Sequence, residues 1–279
     1  MKIQNENNFK NKLALVFTIF SALFLTSCEE VVHLDLEAAP SKLIVDAEIL
    51  WNKGTSGNEQ VIKISKMASY YDTTTPKVSG AKVYIENSTG ASFTFTESEP
   101  GSYVCTNFVP ELNMDYTLYI EAEGKSFTAT EKLAPVVPIT KIDQKYVTDS
   151  DGIDLLELDV YYDDPADETN YYLTEFRTDF LLFPSYSMTS DEFFNGNEIK
   201  TSFSDDDLKS GKNIEIIHRG ISKSFLNYMT LIFQASGWNP FAIPPGNIRG
   251  NIVNTTDSND FALGYFRLCE ATHASYIMK

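Results

Sequence analysis

Between residues 42 and 132, apolar and polar side chains alternate with a period of two, in runs too short for helices and broken by turn residues every ten or so positions. Side chains of an extended strand point to opposite faces in turn, so such a run buries one face and wets the other. The runs are Leu43–Ile49, Val61–Lys66, Ala81–Glu86, Ser92–Thr96, Ser102–Cys105, Tyr116–Ala122 and Ser126–Glu131. Asn87-Ser88-Thr89-Gly90, Pro100-Gly101 and Glu123-Gly124-Lys125 supply turn chemistry between them. This spacing predicts an immunoglobulin-like β-sandwich over 41–134. The paired core cysteines of antibody domains are missing, so only the architecture is implied.

Leu133-Ala134-Pro135-Val136-Val137-Pro138 reads as a joint, because its two prolines cannot enter a central ladder. Beyond it, 135–279 is expected to be a second β-rich domain with one amphipathic helix, making the chain mainly β. Asp154–Tyr162, Asn213–His218, Asn247–Asn254 and Phe261–Leu268 read as strands. Asn170–Phe183 reads as one long strand, or one broken by a bulge, and Ser185–Lys212 as a polar stretch. Phe225, Met229, Ile232 and Phe233 stand at helical spacing, which predicts a helix over about 222–236 capped by Ser222 or Ser224. Gly237-Trp238-Asn239-Pro240 would end it. A hydrophobic content of 43% is enough for a real core, and 15 tyrosines and 19 phenylalanines favour strands.

The amino terminus reads as an address. Lys2, Lys10 and Lys12 precede the apolar stretch Leu13–Leu25, which at 13 residues is shorter than the roughly 20 needed to span a bilayer. Leu25-Thr26-Ser27-Cys28 then matches the lipobox of bacterial lipoproteins. The expectation is a signal peptide over 1–27, cleavage before Cys28, lipid on that cysteine (diacylglycerol, plus an acyl chain such as palmitate), and a tether over 28–40. Two or three acyl chains anchor firmly where one does not. Glu29 and Glu30 resemble surface-export signals, which points to the outward leaflet of the outer membrane.

Removal of three lysines and one glutamate with the signal takes the formal charge from −17 to −19. A surface this acidic disfavours nucleic acid and repels anionic lipid heads. Cys105 and Cys269 lie in different halves of the chain; a bridge between them is open, but no disulfide framework is present.

Catalytic patterns are missing. His33, His218 and His273 are isolated, with no pair at metal-ligand spacing. No GxSxG elbow, phosphate loop or dinucleotide fingerprint occurs. Acidic loops are the provocative feature: Asp149, Asp151 and Asp154, then Asp163, Asp164, Asp167 and Glu168, then Asp205-Asp206-Asp207. Oxygen ligands in loops suit calcium, and Asp163, Asp164 and Asp167 are the candidates, but EF-hand spacing fails and loop carboxylates in an acidic chain are ordinarily solvated. A distant carboxylate pair for glycoside hydrolysis is not readable from sequence. Tyr70-Tyr71, Tyr161-Tyr162 and Tyr171-Tyr172 can each offer only one ring to a given face. The stiff segment carrying Trp238, Asn239 and Phe241 reads either as a binding surface or as a cover over the second core.

Taken in order along the chain, several pieces are similar to the Bacteroidota outer-membrane lipoproteins of domain-of-unknown-function family 4249. They are the lipobox with Glu29-Glu30, Leu43–Ile49, Ser79–Val83, Pro100-Gly101-Ser102-Tyr103, Tyr116-Thr117-Leu118, Asp164-Pro165 with Asn170-Tyr171-Tyr172, and the helix with Tyr228. Asn239-Pro240-Phe241, Gly250-Asn251-Ile252 and Ala262–Phe266 complete them. The resemblance implies an outer-membrane lipoprotein of the kind encoded beside TonB-dependent receptors, and supplies no catalytic residues. The resulting expectation is a non-enzymatic accessory of such a receptor, without cofactor, acting by ligand capture or docking. A surface adhesin or glycan-binding lipoprotein is the alternative, and a carboxylate-based hydrolase a third.

Overall fold

The computed structural model describes residues 42–68, 74–192, 195–236 and 248–279. Alternation in the first hundred of these residues produces two facing layers. One holds β1 (Leu43–Asn52), β2 (Gln60–Lys66) and β5 (Ser102–Cys105). The other holds β3 (Lys82–Asn87), β6 (Asp115–Ala122) and β7 (Lys125–Lys132). The strand between them in sequence, β4 (Ser92–Glu99), belongs to both: Ser92–Phe95 pairs with β3, and Thr96–Glu99 pairs with β5 across a register shift. Val45, Ala47, Ile49, Ile62 and Ile64 from one layer meet Val83, Ile85, Leu118 and Ile120 from the other, all buried. Two buried tyrosines close the loops at its rim. Tyr103 Oη donates to Val78 O at 2.8 Å, and Tyr116 Oη donates to Val109 O at 2.9 Å.

The second region repeats the layered plan. β13 (Asn213–Gly220), β10 (Tyr171–Arg177) and β11 (Ser185–Ser190) form one sheet, faced by β12 (Glu198–Ser204), β9 (Asp154–Asp163) and β8 (Ile139–Thr148). Leu156, Leu158 and Val160 pack on Phe176, Ile214 and Ile216 between them. The architecture is mainly β, an immunoglobulin-like sandwich followed by a second β-rich layer pair, as the sequence predicts.

A single strand joins the two. β15 (Leu263–Ile277) runs parallel to β1 over Leu263–Ala271, then pairs antiparallel with β13 over Ala271–Ile277. Residues 40–279 accordingly form one compact unit. Ile252, Ala262, Phe266 and Leu268, from beyond the proline joint, return to the first core, and β14 (Val253–Asn254) pairs with β7. The close approach of β15 to β1 needs Gly264, whose φ is +95° and where a Cβ would lie 2.0 Å from Val45 O. Gly220 serves the crossing at the joint, since a Cβ there would meet Pro135 O at 1.8 Å.

Several expectations need correction. The apolar run Asn170–Phe183 is not one strand: β10 ends at Arg177, and Leu182 and Phe183 are 89% and 76% exposed in the following loop. The stretch Ser185–Lys212 holds β11 and β12. The closing strand reaches Ile277, nine residues past its expected end. Cys105 and Cys269 are both free and buried, and Cys105 Sγ lies 3.2 Å from Asn107 Oδ1. Cys28, Trp238, Asn239 and Phe241 lie outside the described residues, as do His33 and the Tyr70-Tyr71 pair.

His218 on β13 is fully buried, its ring 4.3 Å from that of Tyr162 and 5.2 Å from that of Tyr172, with Thr174 Oγ1 2.9 Å from Nδ1. Burial, helped by Arg219, pushes its pKa down to about 3. The unfolded chain takes up this proton below about pH 6.5 and the folded chain does not, so stability falls as pH drops from there. The expected slope is about 1.4 kcal/mol per pH unit from this residue. Urea unfolding between pH 6.5 and pH 5 should show a clearly shallower slope in His218→Phe than in the native sequence, with His273, also lowered by burial, supplying part of what is left; an unchanged slope would contradict a neutral buried imidazole.

Candidate functional site

The chain contains only four arginines, Arg177, Arg219, Arg249 and Arg267. Three of them line one groove of about 340 Å³, under the helix and over the strands that join the two sandwiches. Its floor is the face of the sheet that alternation aims one way: Asp46 and Glu48 on β1, Tyr265 and Arg267 on β15, Arg219 on β13, Glu175 and Arg177 on β10. The wall is the helix α1 (Lys223–Ser236), through Phe225, Tyr228 and Met229.

Ser222 sets the helix in place. Its Oγ accepts from Phe225 N at 3.1 Å, the bond of an N-cap, and donates to Glu131 Oε2 at 2.9 Å. Tyr265 Oη donates to the same Glu131 oxygen at 3.1 Å, so cap and groove floor share one carboxylate. Of the helix, only Phe225 is buried. It packs on Tyr265 at 5.0 Å, Tyr228 packs on Tyr265 at 4.8 Å, and the Arg267 guanidinium sits 5.3 Å over the Phe225 ring.

The charges form an alternating row across four strands. Asp46 is 3.5 Å from Arg267 Nη1, Arg267 Nε donates to Glu48 at 3.3 Å, and Glu48 is 3.2 Å from Arg219 Nε. Arg219 Nη2 is 2.6 Å from Glu175, which also pairs with Arg177. Arg219 and Glu175 are almost fully buried, whereas the end members Asp46 and Arg177 reach solvent. Burial alone would raise the Glu48 carboxyl, but Arg267, Arg219 and Arg177 outweigh it and hold its pKa below the usual range. Burial acts to lower that of Arg267, and Glu48 and Asp46 more than restore it. Arg219 Nε and Nη1 are buried with no hydrogen-bond partner, so the Glu48 contact is an ion pair without a hydrogen bond. A larger recess of about 660 Å³, lined by Arg177, Asp179, Lys212 and Glu215 among others, has no aromatic wall and opens broadly to solvent.

The other sequence candidates are placed differently. Asp163 ends β9 and Asp167 lies in the next turn, both exposed, while Asp164 is buried, accepting from Tyr172 Oη at 2.7 Å and from Gly196 N at 3.2 Å. The three are not gathered, and among the described residues no group of three or more His, Cys, Asp or Glu is placed to hold a metal. Tyr162 and Tyr172 are core, leaving Tyr161 and Tyr171 partly exposed. On the outer face of the first sandwich Tyr84 and Tyr119 lie 4.8 Å apart and nearly parallel. That separation is an offset stack, a contact that joins β3 to β6. Sequence reading missed the arginine groove, although the scarcity of arginine was a usable signal.

Two layered β units sharing a strand, with a charged and aromatic groove at the shared strand, define a β-sandwich protein whose distinctive chemistry sits at the junction. The chain belongs to the family described as Domain of unknown function (DUF4249), whose profile matches residues 29–275. Among solved structures it is similar to a segment of two fibronectin type-III domains from chicken tenascin, at 12% identity and a TM-score of 0.22, covering 58% of this chain and 85% of that one. A cytokine receptor complex gives 10% identity and 0.24, covering 66% and 86%. The first three fibronectin domains of chicken CNTN1 give 16% and 0.25, covering 64% and 60%. No curated protein matches.

The row should be strongly coupled. Arg219→Met leaves the buried Glu175 with Arg177 as its remaining cation and should cost up to about 3–5 kcal/mol in urea unfolding. Arg219→Met combined with Glu175→Met should cost less than that single change. A double variant less stable than the Arg219 variant would contradict a penalty for the carboxylate left behind.

Proposed function

We propose that this protein is a non-enzymatic lipoprotein, held on the outer membrane through lipid on Cys28, that assists a TonB-dependent receptor by capturing ligand or docking to it. The observation that carries this reading is the lipobox Leu25-Thr26-Ser27-Cys28, with a β body beginning at Leu43 after a short tether. Family membership supports it, since the resemblance implies lipoproteins encoded beside such receptors. The groove supports the capture role: aromatic rings on one side and ion-paired hydrogen-bonding groups on the other suit a polar organic ligand. General-acid catalysis would want a carboxyl with a raised pKa, and Glu48 is instead held ionised by its arginines. That favours binding over hydrolysis.

Surface glycan binding is the second reading. Tyr228, Tyr265 and Phe225 above a row of carboxylates and guanidinium groups are what motivates it.

Cys28→Ser should move the chain from the membrane fraction to the soluble fraction, read by fractionation and by loss of acyl label. The native lipoprotein, purified from detergent-solubilised outer membranes, should carry a TonB-dependent receptor in stoichiometric amount. Clean bait, together with unchanged uptake after deletion, would remove the receptor role, and binding on a glycan array would then favour the second reading.

A further inference from the structure

Every large hydrophobic side chain that is more than 55% exposed among the described residues lies at one end of the molecule. They are Leu182 at 89%, Phe183 at 76%, Tyr146 at 69%, Ile277 at 63% and Ile153 at 56%. The topology fixes which end. β10 runs alongside the last part of β15, with Arg177 opposite Glu215 and Glu215 opposite Ser275, so the loop bearing Leu182 and Phe183 extends past the end of β15. Gln144 on β8 exchanges hydrogen bonds of 2.8 and 2.7 Å with Lys279, so Tyr146 and the β8–β9 turn with Ile153 project past the same end. The described residues begin at the opposite end, because Ile44 is level with Leu263 at the start of β15. The fourteen steps along this 15-residue strand, at about 3.3 Å each, place its two ends roughly 45 Å apart.

Large apolar side chains gathered at one end of the molecule cost solubility unless something covers them. Charge selects the cover. The three loops at this end, 148–154, 178–184 and 205–212, carry seven aspartates (Asp149, Asp151, Asp154, Asp179 and the Asp205–Asp207 run) against Lys209 and Lys212. Lys212 is paired with Asp179 at 3.0 Å. Anionic lipid heads would be repelled by that rim, and a second copy would bring the same charge to itself.

We propose that this end, with Leu182 and Phe183 at its tip, docks to a protein partner that offers an apolar pocket in a basic rim. The proposal rests on the tethered-lipoprotein reading for its orientation. It does not depend on the partner being a TonB-dependent receptor. Leu182 and Phe183 act as anchors, and the aspartates steer the encounter and set its register.

The test uses the full lipidated chain in intact cells, with the photo-crosslinker p-benzoylphenylalanine at position 182 and, as control, at Val109, which is 53% exposed on the first sandwich. The expected result is one protein adduct from position 182 and none from Val109, with the crosslinked peptide mapping to an apolar site flanked by lysine or arginine. With the crosslinker moved to Tyr146, Leu182→Asp with Phe183→Asp should lower the adduct yield by roughly tenfold or more, with the circular dichroism unchanged. Added salt should lower it too, because the steering is electrostatic. Adducts to lipid, adducts to a second copy of the chain, or no adduct would each overturn the proposal. A mapped partner that is not a TonB-dependent receptor would leave this surface standing and remove the receptor role. A receptor that still co-purifies with the double aspartate variant would do the reverse.

Discussion

Strand β15 spends its backbone hydrogen bonds twice, on β1 over its first nine residues and on β13 over its last seven, with Ala271 at the changeover. Everything that makes the two layer pairs one body follows from that. The first core draws Phe266 and Leu268 from it, and the second is closed by Met278 just beyond it. A strand shared in this way cannot leave one sandwich without pulling on the other, so unfolding of residues 42–279 is cooperative across the proline joint instead of proceeding by halves. The tolerance is small where β15 meets β1, because the missing Cβ of Gly264 is what lets Val45 O come so close.

The row of charges follows the same seam. Removing Arg219 and Glu175 from water costs several kcal/mol per ion, and their contact returns that only with good geometry. What such a pair contributes best is specificity. Arg219 reaches Glu48 on β1 with one nitrogen and Glu175 on β10 with another, so the guanidinium fixes the register of strands that share no hydrogen bonds. Lysine, with one compact ammonium, does not spread its charge over separated nitrogens in a rigid plane. That explains why a chain with few arginines concentrates them here.

How much of this could be read in advance depended on where each residue's neighbours come from. Strands of the first sandwich were legible almost residue by residue: Val61–Lys66 is found as Gln60–Lys66, and Ala81–Glu86 as Lys82–Asn87, because one face is buried and the other wet. β8 and β11 were not, being edge strands with no fully buried residue and therefore no alternation to detect. The hydrophobic Phe180–Phe183 run misled in the other direction, since periodicity cannot tell a buried run from an apolar loop tip. The cap Ser222 was legible, as its signal is local. The groove was not, since its floor is assembled from β1, β10, β13 and β15, with Asp46 and Arg267 221 positions apart.

The gradient along the charged row bears on what the groove can do. At its centre Arg219 and Glu175 are sealed, and a ligand competing for them would have to repay their mutual attraction in a low-dielectric site. At its edge the Asp46–Arg267 contact is 3.5 Å long, and Asp46 is mostly exposed, so that pair is worth little in water. At this edge of the row Arg267 can exchange Asp46 for another partner at little cost, and it already sits over Phe225 beside Tyr265. A ligand that replaced Asp46 would gain a guanidinium held in place by Glu48 and a ring at its flank, without disturbing the buried pair that sets the strands. On the proposed capture role, recognition would fall to the rim while the buried centre keeps the two sandwiches in register.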